Sequence, residues 1–464
     1  MAGEKRNLKE LNKAQLIELV ELLLARVATL EKRVAQLEAA DQKKVPKTSQ
    51  NSSVAPSQDQ KANQAVDPAA RRGAKPGHVG RSRERLTPDE IIECRVPCCQ
   101  NCGTDLSGQA QWVVGRHQVI DIPPIKAVVR EAWRYQTTCP QCKSQQTAAY
   151  APGFERGRTF GSQLERWILY LHYAHPLSYE RVQRLLAELF GVQISRGALV
   201  NLVKRAEKRL QAGAADIRRQ LQQATVIGSD ETGARVAGVK FWQWVFQTPQ
   251  WAYYVIASSR AAQVIDDVLE DAQPAVWVSD AFSAQLCHPA PDYPLCLAHQ
   301  VRDLQYMIDS HACDWAQQVQ TLFYDVMRFN HERGRLDANA FARQRAAYET
   351  RLDALLALPP DTAASENLRG RFIKHRRALF FFLQRADVPP TNNASEQALR
   401  NSVIYRKVTG GFRSEWGAQL YANWISILET ARRQERPLFV TLAAILEGQP
   451  VFALPDSLYM NNYL

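Results

Sequence analysis

Two acidic residues stand directly after short apolar segments in the middle of the chain. Asp230 follows residues 224–229 and Asp280 follows residues 275–279, and both segments are typical of buried strands. Carboxylates brought together repel one another unless divalent cations neutralise them. Two Mg²⁺ or Mn²⁺ ions about 4 Å apart can activate a nucleophile and stabilise a leaving oxygen at a phosphodiester. Spacing alone leaves open that Asp230 only caps a turn beside a solvated Glu231, but the pair indicates phosphoryl-transfer chemistry.

A site of this kind needs a third acid, for which the sequence offers three candidates. Residues 301–388 have an almost entirely helical pattern, which residues 389–393 break before a new helix opens. Glu396 lies in the first turns of that helix, and Glu366 and Asp387 are the alternatives. From spacing alone, a structural role stays open for each of them.

The frame that positions the acids is predicted as four strands and a helix. Residues 241–247 and 251–257 are aromatic and β-branched and predict a hairpin, while residues 260–270 predict a helix. An acid then follows the first and the fourth strand. This order resembles an RNase H-like fold, which places two acids side by side and a third on a later helix. We expect such an α/β catalytic domain over 224–435, with a helical insertion at about 301–388.

Two further side chains near the predicted site can contact phosphate. His299 and Arg302 lie at the start of the segment with the helical pattern. For His299, a buried structural histidine is the alternative.

Two Cys-x-x-Cys pairs precede the catalytic segment, Cys99 with Cys102 and Cys139 with Cys142. Each pair can present two thiolates to one tetrahedral Zn²⁺, and four thiolates leave no position for water, so the zinc would be structural. The alternatives are Cys98 in place of Cys99, or four reduced cysteines without metal.

The residues between the two cysteine pairs look like strands. Residues 113–122 and 127–135 have that pattern, and we therefore expect a zinc ribbon over 91–150.

Residues 158–212 predict a helical region that resembles a helix-turn-helix. Residues 190–192 break a helix of regular apolar spacing, and Ser195 suits the N-cap of the next one. Arg196, Lys204 and Arg205 on that second helix can face a DNA groove or its phosphates. An ordinary helical hairpin is the alternative.

Residues 8–40 form a heptad pattern. Leucines recur every seven residues at Leu16, Leu23, Leu30 and Leu37, with valines four residues after the first three and matched Arg and Glu at the flanking positions. This favours a parallel two-stranded coiled coil, and so a second copy of the chain as partner. An amphipathic helix packed on the protein's own body is the alternative.

Residues 41–90 have no apolar periodicity and predict a flexible linker with a basic end. That end can track phosphates, or can merely be a solvated linker. Its candidate DNA-binding residues are Arg71, Arg72, Lys75 and Arg81.

The composition fits a multidomain α+β protein that binds a polyanion. The 464 residues are 45% hydrophobic, which excludes a disordered chain or a rod, and Lys and Arg exceed Asp and Glu by 58 to 47. No apolar run reaches the roughly 18 residues that span a bilayer, and the start lacks a signal-peptide pattern. We therefore expect a cytoplasmic protein without a membrane partner. Residues 436–464 are predicted to be a C-terminal tail.

Four motifs together resemble the signatures of the insertion-sequence "sixty-six" family of DDE transposases. The likeness extends outward to the order of zipper, basic arm, zinc ribbon and helical DNA-binding segment. The motifs are SDETG at 229–233, VSD at 278–280, CLAHQVR at 296–302 and PTNNASEQALR at 390–400.

The resemblance implies that Asp230, Asp280 and Glu396 are a catalytic triad that holds two Mg²⁺ or Mn²⁺ ions. It further implies a cytoplasmic, nucleoid-associated enzyme that cuts double-stranded DNA at the terminal inverted repeats of a mobile element and joins the freed 3′ ends to target DNA. Accessory proteins of the same element are possible partners. The basic residues beside the third acid are Arg400, Arg406 and Lys407.

Two residues depart from the family pattern beside the third acid. Thr391 stands where the family commonly has Asp, and Gln397 where it commonly has Arg. These departures keep open the alternative of a domesticated or catalytically impaired DNA-binding regulator. A separate alternative is an RNase H-like nuclease that cuts without joining.

Overall fold

The structure, a computed structural model, describes residues 45–52, 79–80, 83–280, 282, 284–287, 290–360 and 362–452, with six isolated residues before them. Those six, all helical, are Lys13, Leu23, Leu24, Arg26, Val27 and Leu30. Apart from them, the predicted zipper lies outside the described residues. So do the predicted DNA-binding residues Arg71, Arg72, Lys75 and Arg81.

The chain divides into two compact units. The smaller unit comprises residues 61–150 and 183–194, and the larger one comprises 1–60, 151–182 and 195–464. In the smaller unit, β1 (Gln136–Thr138) and β2 (Gln145–Thr147) form an antiparallel hairpin. The strands predicted over 113–122 and 127–135 are wrong, because these residues are almost all exposed and no strand among the described residues pairs with their backbone groups.

Between residue 151 and the main sheet, the structure has three α-helices. They are α1 (Ser162–Leu169), which continues as a π-helical turn over Tyr170–Ala174, α2 (Tyr179–Phe190) and α3 (Arg196–Gln222). The predicted helix break is confirmed, since Gly191 has a φ of 67°. Ser195 is the predicted N-cap of α3, and its side chain accepts a hydrogen bond from the Ala198 amide.

The main sheet of the larger unit is four-stranded and mixed, with the order β5-β4-β3-β6. Its strands are β3 (Val226–Val236), β4 (Val239–Gln247), β5 (Ala252–Ala257) and β6 (Val276–Val278). The first three are antiparallel neighbours, which confirms the predicted hairpin, and β6 pairs parallel to β3. Helix α4 (Gln263–Leu269) connects β5 to β6.

The first strand is longer than its sequence suggests. The apolar pattern ends at Ser229, but β3 continues through Asp230 to Val236 because β4 pairs with it along that whole length. Ala237 and Gly238, both at positive φ, form the tight turn between the two strands. Asp230 therefore lies inside a strand and not at its end.

In the described part of the chain, five α-helices lie between β6 and the segment of the third acid. These are α5 (Leu297–His311), α6 (Asp314–His331), α7 (Ala338–Ala357), α8 (Ala363–Lys374) and α9 (Arg376–Leu379). They share a core of their own with the buried β6, built around aromatic side chains such as Trp315, Phe323 and Phe372. Helices α10 (Asn393–Thr409) and α11 (Glu415–Arg433) follow.

The last described helix, α12 (Leu438–Leu446), belongs to the core of the larger unit. Leu442, Ala444 and Ile445 pack in one cluster with side chains of α3 and α11. The predicted tail at 436–464 is therefore corrected for its first part, because these apolar side chains are buried. Although α12 is apolar, no helix among the described residues is long and apolar enough to cross a membrane.

Candidate active site

The parallel register of β3 and β6 brings Asp230 and Asp280 to the same place. The last register pair joins Gly228 to Val278, and each acid lies two residues beyond its member of that pair. Side chains two residues apart on an extended chain point to the same face of a sheet. The two carboxylates therefore lie side by side on one face of the neighbouring strands. Asp230 stays within the sheet opposite Val245, whereas the chain leaves the sheet at Asp280.

Burial and neighbouring carboxylates set the electrostatic environment of Asp230. Burial, followed by the charges of Glu231 and Asp280, raises the pKa of Asp230 well above its usual range, and the charge of Glu396 adds to the effect. A hydrogen bond of 2.9 Å from the Glu231 amide to Oδ1 opposes this only in part. The carboxylates thus lie close enough to repel one another, which is the condition that a bound cation relieves.

Glu396 is placed in the first turn of α10 by the residues just before it. Asn392 is buried and donates a hydrogen bond of 2.8 Å from Nδ2 to the Ser229 carbonyl, and its backbone amide donates to Cys296 Sγ at 3.1 Å. The start of α10 is therefore attached to β3 one residue before Asp230. Glu366 and Asp387, the alternatives for the third acid, instead form ion pairs with nearby arginines.

Both oxygens of Glu396 face nitrogen-bearing side chains of α5. Oε1 lies 3.6 Å from His299 Nε2, and Oε2 lies 3.5 Å from the Arg302 guanidinium. Oε1 is buried and accepts no hydrogen bond from the residues that the structure describes. Burial lowers the pKa of His299 despite the opposing charge of Glu396. Glu396 thus keeps a buried acceptor oxygen that is available to a cation.

Glu231 is a residue whose role the sequence pattern did not reveal. Its side chain is 1% exposed and forms an ion pair with Arg260, with a closest distance of 2.7 Å. Gln285 donates a hydrogen bond of 2.6 Å to the second oxygen. The interpretation of Glu231 as a solvated neighbour is therefore wrong, because β3 turns successive side chains to opposite faces and buries this one.

The partners of Glu231 also hold the loop that follows Asp280. The Arg260 guanidinium lies 4.5 Å from the ring centroid of Trp242 and 3.7 Å from that of Phe282. The Phe282 amide donates to Asp280 Oδ1 at 3.0 Å. The buried carboxylate of Glu231 is thus connected through Arg260 and Phe282 to the second predicted catalytic acid.

The predicted DNA-binding residues near the third acid differ in their surroundings. Arg400 and Lys407 are exposed on α10. Arg406 instead donates hydrogen bonds to the carbonyls of Ser402 and Gly233, so it anchors α10 to β3, and burial lowers its pKa. Of these three residues, Arg400 and Lys407 are therefore the ones that a ligand can reach from solvent.

The predicted residues of α3 are partly engaged in ion pairs. Arg196 lies 3.8 Å from Glu180, and Arg205 lies 2.6 Å from Glu165, while Lys204 is exposed.

The two cysteine pairs of the smaller unit have the same local geometry. The Cys99 amide donates to the Thr104 carbonyl and the Gly103 amide to the Cys99 carbonyl. The second pair repeats this with Cys139, Lys143 and Ser144. Each pair is thus a turn that can offer two thiolates to a metal.

Neither predicted metal site is assembled into a complete set of ligands. Within the described ranges, no three His, Cys, Asp or Glu side chains come close enough to hold one ion. The donor chemistry nevertheless fits: Asp230, whose pKa is raised in part by the charge of the adjacent Asp280, and a third carboxylate with a free buried oxygen offer the hard ligands that Mg²⁺ and Mn²⁺ prefer.

A small mixed sheet whose parallel strands β3 and β6 bring two acids together, with a third acid on a later helix, is compatible with a DDE-type catalytic domain. The family model of the transposase IS66 family matches residues 157–420, more than half of the chain, and the protein therefore belongs to that family. Among curated proteins no match was found.

Proposed function

We propose that this protein is a DNA transposase that cleaves the terminal inverted repeats of an insertion sequence and joins the freed 3′ ends to target DNA. The observation that supports this most directly is the register of β3 and β6, which brings Asp230 and Asp280 together. The strand order β5-β4-β3-β6 and the helices inserted before Glu396 support an RNase H-like catalytic domain. The expected location is the cytoplasm, at the nucleoid.

Asp230, Asp280 and Glu396 would hold two divalent ions. When bound, these ions neutralise charge on the phosphodiester and lower the pKa of an attacking hydroxyl. Arg302 and His299 restrain Glu396 at 3.5 and 3.6 Å, so they limit the orientations of its carboxylate. Asn392 fixes the start of α10 relative to β3, and these residues therefore support the position of Glu396 relative to Asp230 before substrate arrives.

The proposal is tested by a cleavage assay on the DNA that flanks the protein's own gene, with Mg²⁺ or Mn²⁺. We expect metal-dependent nicks at matching inverted sites from the wild type and none from Asp280→Ala, which should still bind the same DNA. Asp271→Ala, an exposed acid near β6, is the matched control and should cut normally. Cleavage by Asp280→Ala would refute the assignment of the site.

A second candidate function is an end-binding regulator without cleavage, favoured by Thr391 and Gln397 beside the third acid. Binding without nicks, unchanged when neighbouring gene products are added, would support it. Nicks that never lead to joined products would instead favour a nuclease.

A further inference from the structure

An arginine-lined cleft of about 610 Å³ opens within the larger unit, beside α1 and α3. None of the three acids proposed for catalysis lines this cleft. Its charged lining consists mainly of arginines, which are Arg156, Arg158, Arg166, Arg205 and Arg209.

Ion pairs orient three of these arginines. Glu165 lies 2.6 Å from Arg205 and 3.4 Å from Arg158, so one partly buried carboxylate holds two guanidinium groups. Arg166 lies 3.7 Å from Glu447 and 5.2 Å from the ring centroid of Phe439. The glutamates therefore fix the directions of the guanidinium groups at the wall of the cleft.

The glutamates do not neutralise the cleft. Three glutamates line it against five arginines, so positive charge remains in excess. Arg156 and Arg209 are exposed and form no ion pair with any residue that the structure describes. Lys204 and Lys208 extend the basic surface along the exposed side of α3.

Helix α3 is a rigid support for this surface. Leu202, Val203 and Leu210 are buried, and the inner face of the helix packs in the core with α11. The outer face therefore presents Arg205 and Arg209, one turn apart, on an element that cannot move independently. Planar guanidinium groups match the geometry of phosphate oxygens, which they bind in bidentate fashion.

We propose that this cleft binds the phosphate backbone of double-stranded DNA, with Arg156 and Arg209 as its direct contacts. The inference rests on the proposed function, because DNA is taken as the ligand. Contacts to phosphate carry no base information, so the cleft sets the position of the duplex on the protein and leaves sequence reading to other residues.

The test is the salt dependence of DNA binding, measured by fluorescence anisotropy on a duplex with the element ends. EDTA is present, so cleavage does not enter the readout. Each phosphate contact contributes about 0.9 to the slope of log affinity against log salt, so Arg156→Ala with Arg209→Ala should make the change in Kd between about 50 and 200 mM salt about twelvefold smaller. Arg156→Lys with Arg209→Lys keeps both charges and should retain most of the slope.

The matched control is Arg343→Ala with Arg377→Ala, two exposed arginines on α7 and α9. It should keep the wild-type slope. If the cleft variant keeps that slope while the wild type binds and cuts DNA, the cleft assignment is overturned and the proposed function stands. An equal loss of slope in cleft and control variants also overturns it, because binding is then diffuse. A wild type that does not bind DNA overturns both.

Discussion

At the residue scale, Asp230 and Glu231 are neighbours on β3 with opposite surroundings. Asp230 lies close to other acids, whereas Glu231 is buried against the Arg260 guanidinium and the Gln285 amide. Burial raises the pKa of Glu231, and its hydrogen bonds oppose that rise. Leaving one partner of such a pair alone is costly, so Glu231 and Arg260 act as a unit.

The first prediction concerns Glu231→Gln, which keeps the shape of the side chain and removes its charge. Arg260 would lose its ion pair, and the loop after Asp280 would lose a restraint. Groups that support a metal ligand typically change metal affinity or activity about 10- to 100-fold, and we expect a loss of cleavage in that range.

The measurement for Glu231→Gln is cleavage rate against Mg²⁺ concentration, beside DNA affinity. The variant should need more Mg²⁺ but bind DNA normally. Glu270→Gln removes an ion pair with Arg218 at the surface and serves as the control. A wild-type Mg²⁺ dependence in Glu231→Gln would show that the buried pair has no positioning role.

A second prediction concerns His172 and the pH dependence of stability. Burial lowers its pKa to about 4, and the ring is placed by the Leu177 carbonyl at 2.6 Å and the Tyr405 hydroxyl at 3.1 Å. Above pH 6.5 the ring is neutral whether the chain is folded or unfolded, so it contributes nothing to pH dependence. Between pH 6.5 and 4 only the unfolded chain gains a proton, and the folded state is therefore progressively destabilised.

From this shift we expect the free energy of unfolding to fall by about 2 kcal/mol between pH 7 and pH 5 on account of His172. Urea denaturation at both pH values measures it. His172→Phe should lose that part of the difference, whereas His311→Phe, an exposed histidine at the end of α5, should keep it. An equal pH dependence in wild type and His172→Phe contradicts the account.

At the element scale, the buried side-chain amide of Asn392 attaches the start of α10 to β3. Asn392→Ala removes the hydrogen bond to the Ser229 carbonyl, and a buried carbonyl left without its donor costs about 1–3 kcal/mol. We expect that loss in the free energy of unfolding, together with slower cleavage, because Glu396 follows on the same helix. Asn393→Ala, at an exposed position, should show neither effect. Normal cleavage by Asn392→Ala would mean that α10 is positioned by other contacts.

The two cysteine turns lead to a further prediction about an element. Their matching hydrogen bonds favour Cys99 over Cys98 as the counterpart of Cys139. Hydrogen bonds from Ser144 lower the pKa of Cys142 to about 7, which favours the thiolate that a metal needs.

We therefore expect one Zn²⁺ per chain by elemental analysis, lost in Cys142→Ser and retained in Cys94→Ser. The zinc assignment fails if the purified wild type contains none, or if Cys94→Ser loses it equally.

Local patterns predicted those elements whose apolar side chains are buried. The spacing of apolar residues was sufficient to predict β4, β5 and α3, because each of these elements has a regular apolar face in the core. The same kind of pattern wrongly predicted strands within 113–135, where the apolar residues remain exposed. The contacts of the candidate site could not be read from the sequence, since Glu231 meets Arg260 29 positions later and Asn392 meets Ser229 163 positions earlier.

At the scale of the whole molecule, the N-terminal heptad pattern bears on how two copies of the protein pair. The family match covers 157–420 and leaves the heptad pattern outside it. Three residues of that pattern, Leu23, Val27 and Leu30, are helical and about half exposed. Large apolar side chains at a and d positions are usually covered by a partner helix. A transposase that joins two ends benefits from pairing two protomers, and the heptads are the candidate for that pairing.

The last prediction is that Leu23→Glu with Leu30→Glu separates the protomers. Two charges in a coiled-coil seam would each be buried without a partner, so the seam cannot form. Sedimentation velocity should then show a fall from the mass of two chains to that of one, with end cleavage retained and joining of paired ends lost. Ala25→Glu, at the outer position of the heptad, should keep the paired state. A paired species that survives in the double variant would place self-association elsewhere in the chain, and a wild type of single-chain mass would exclude the zipper.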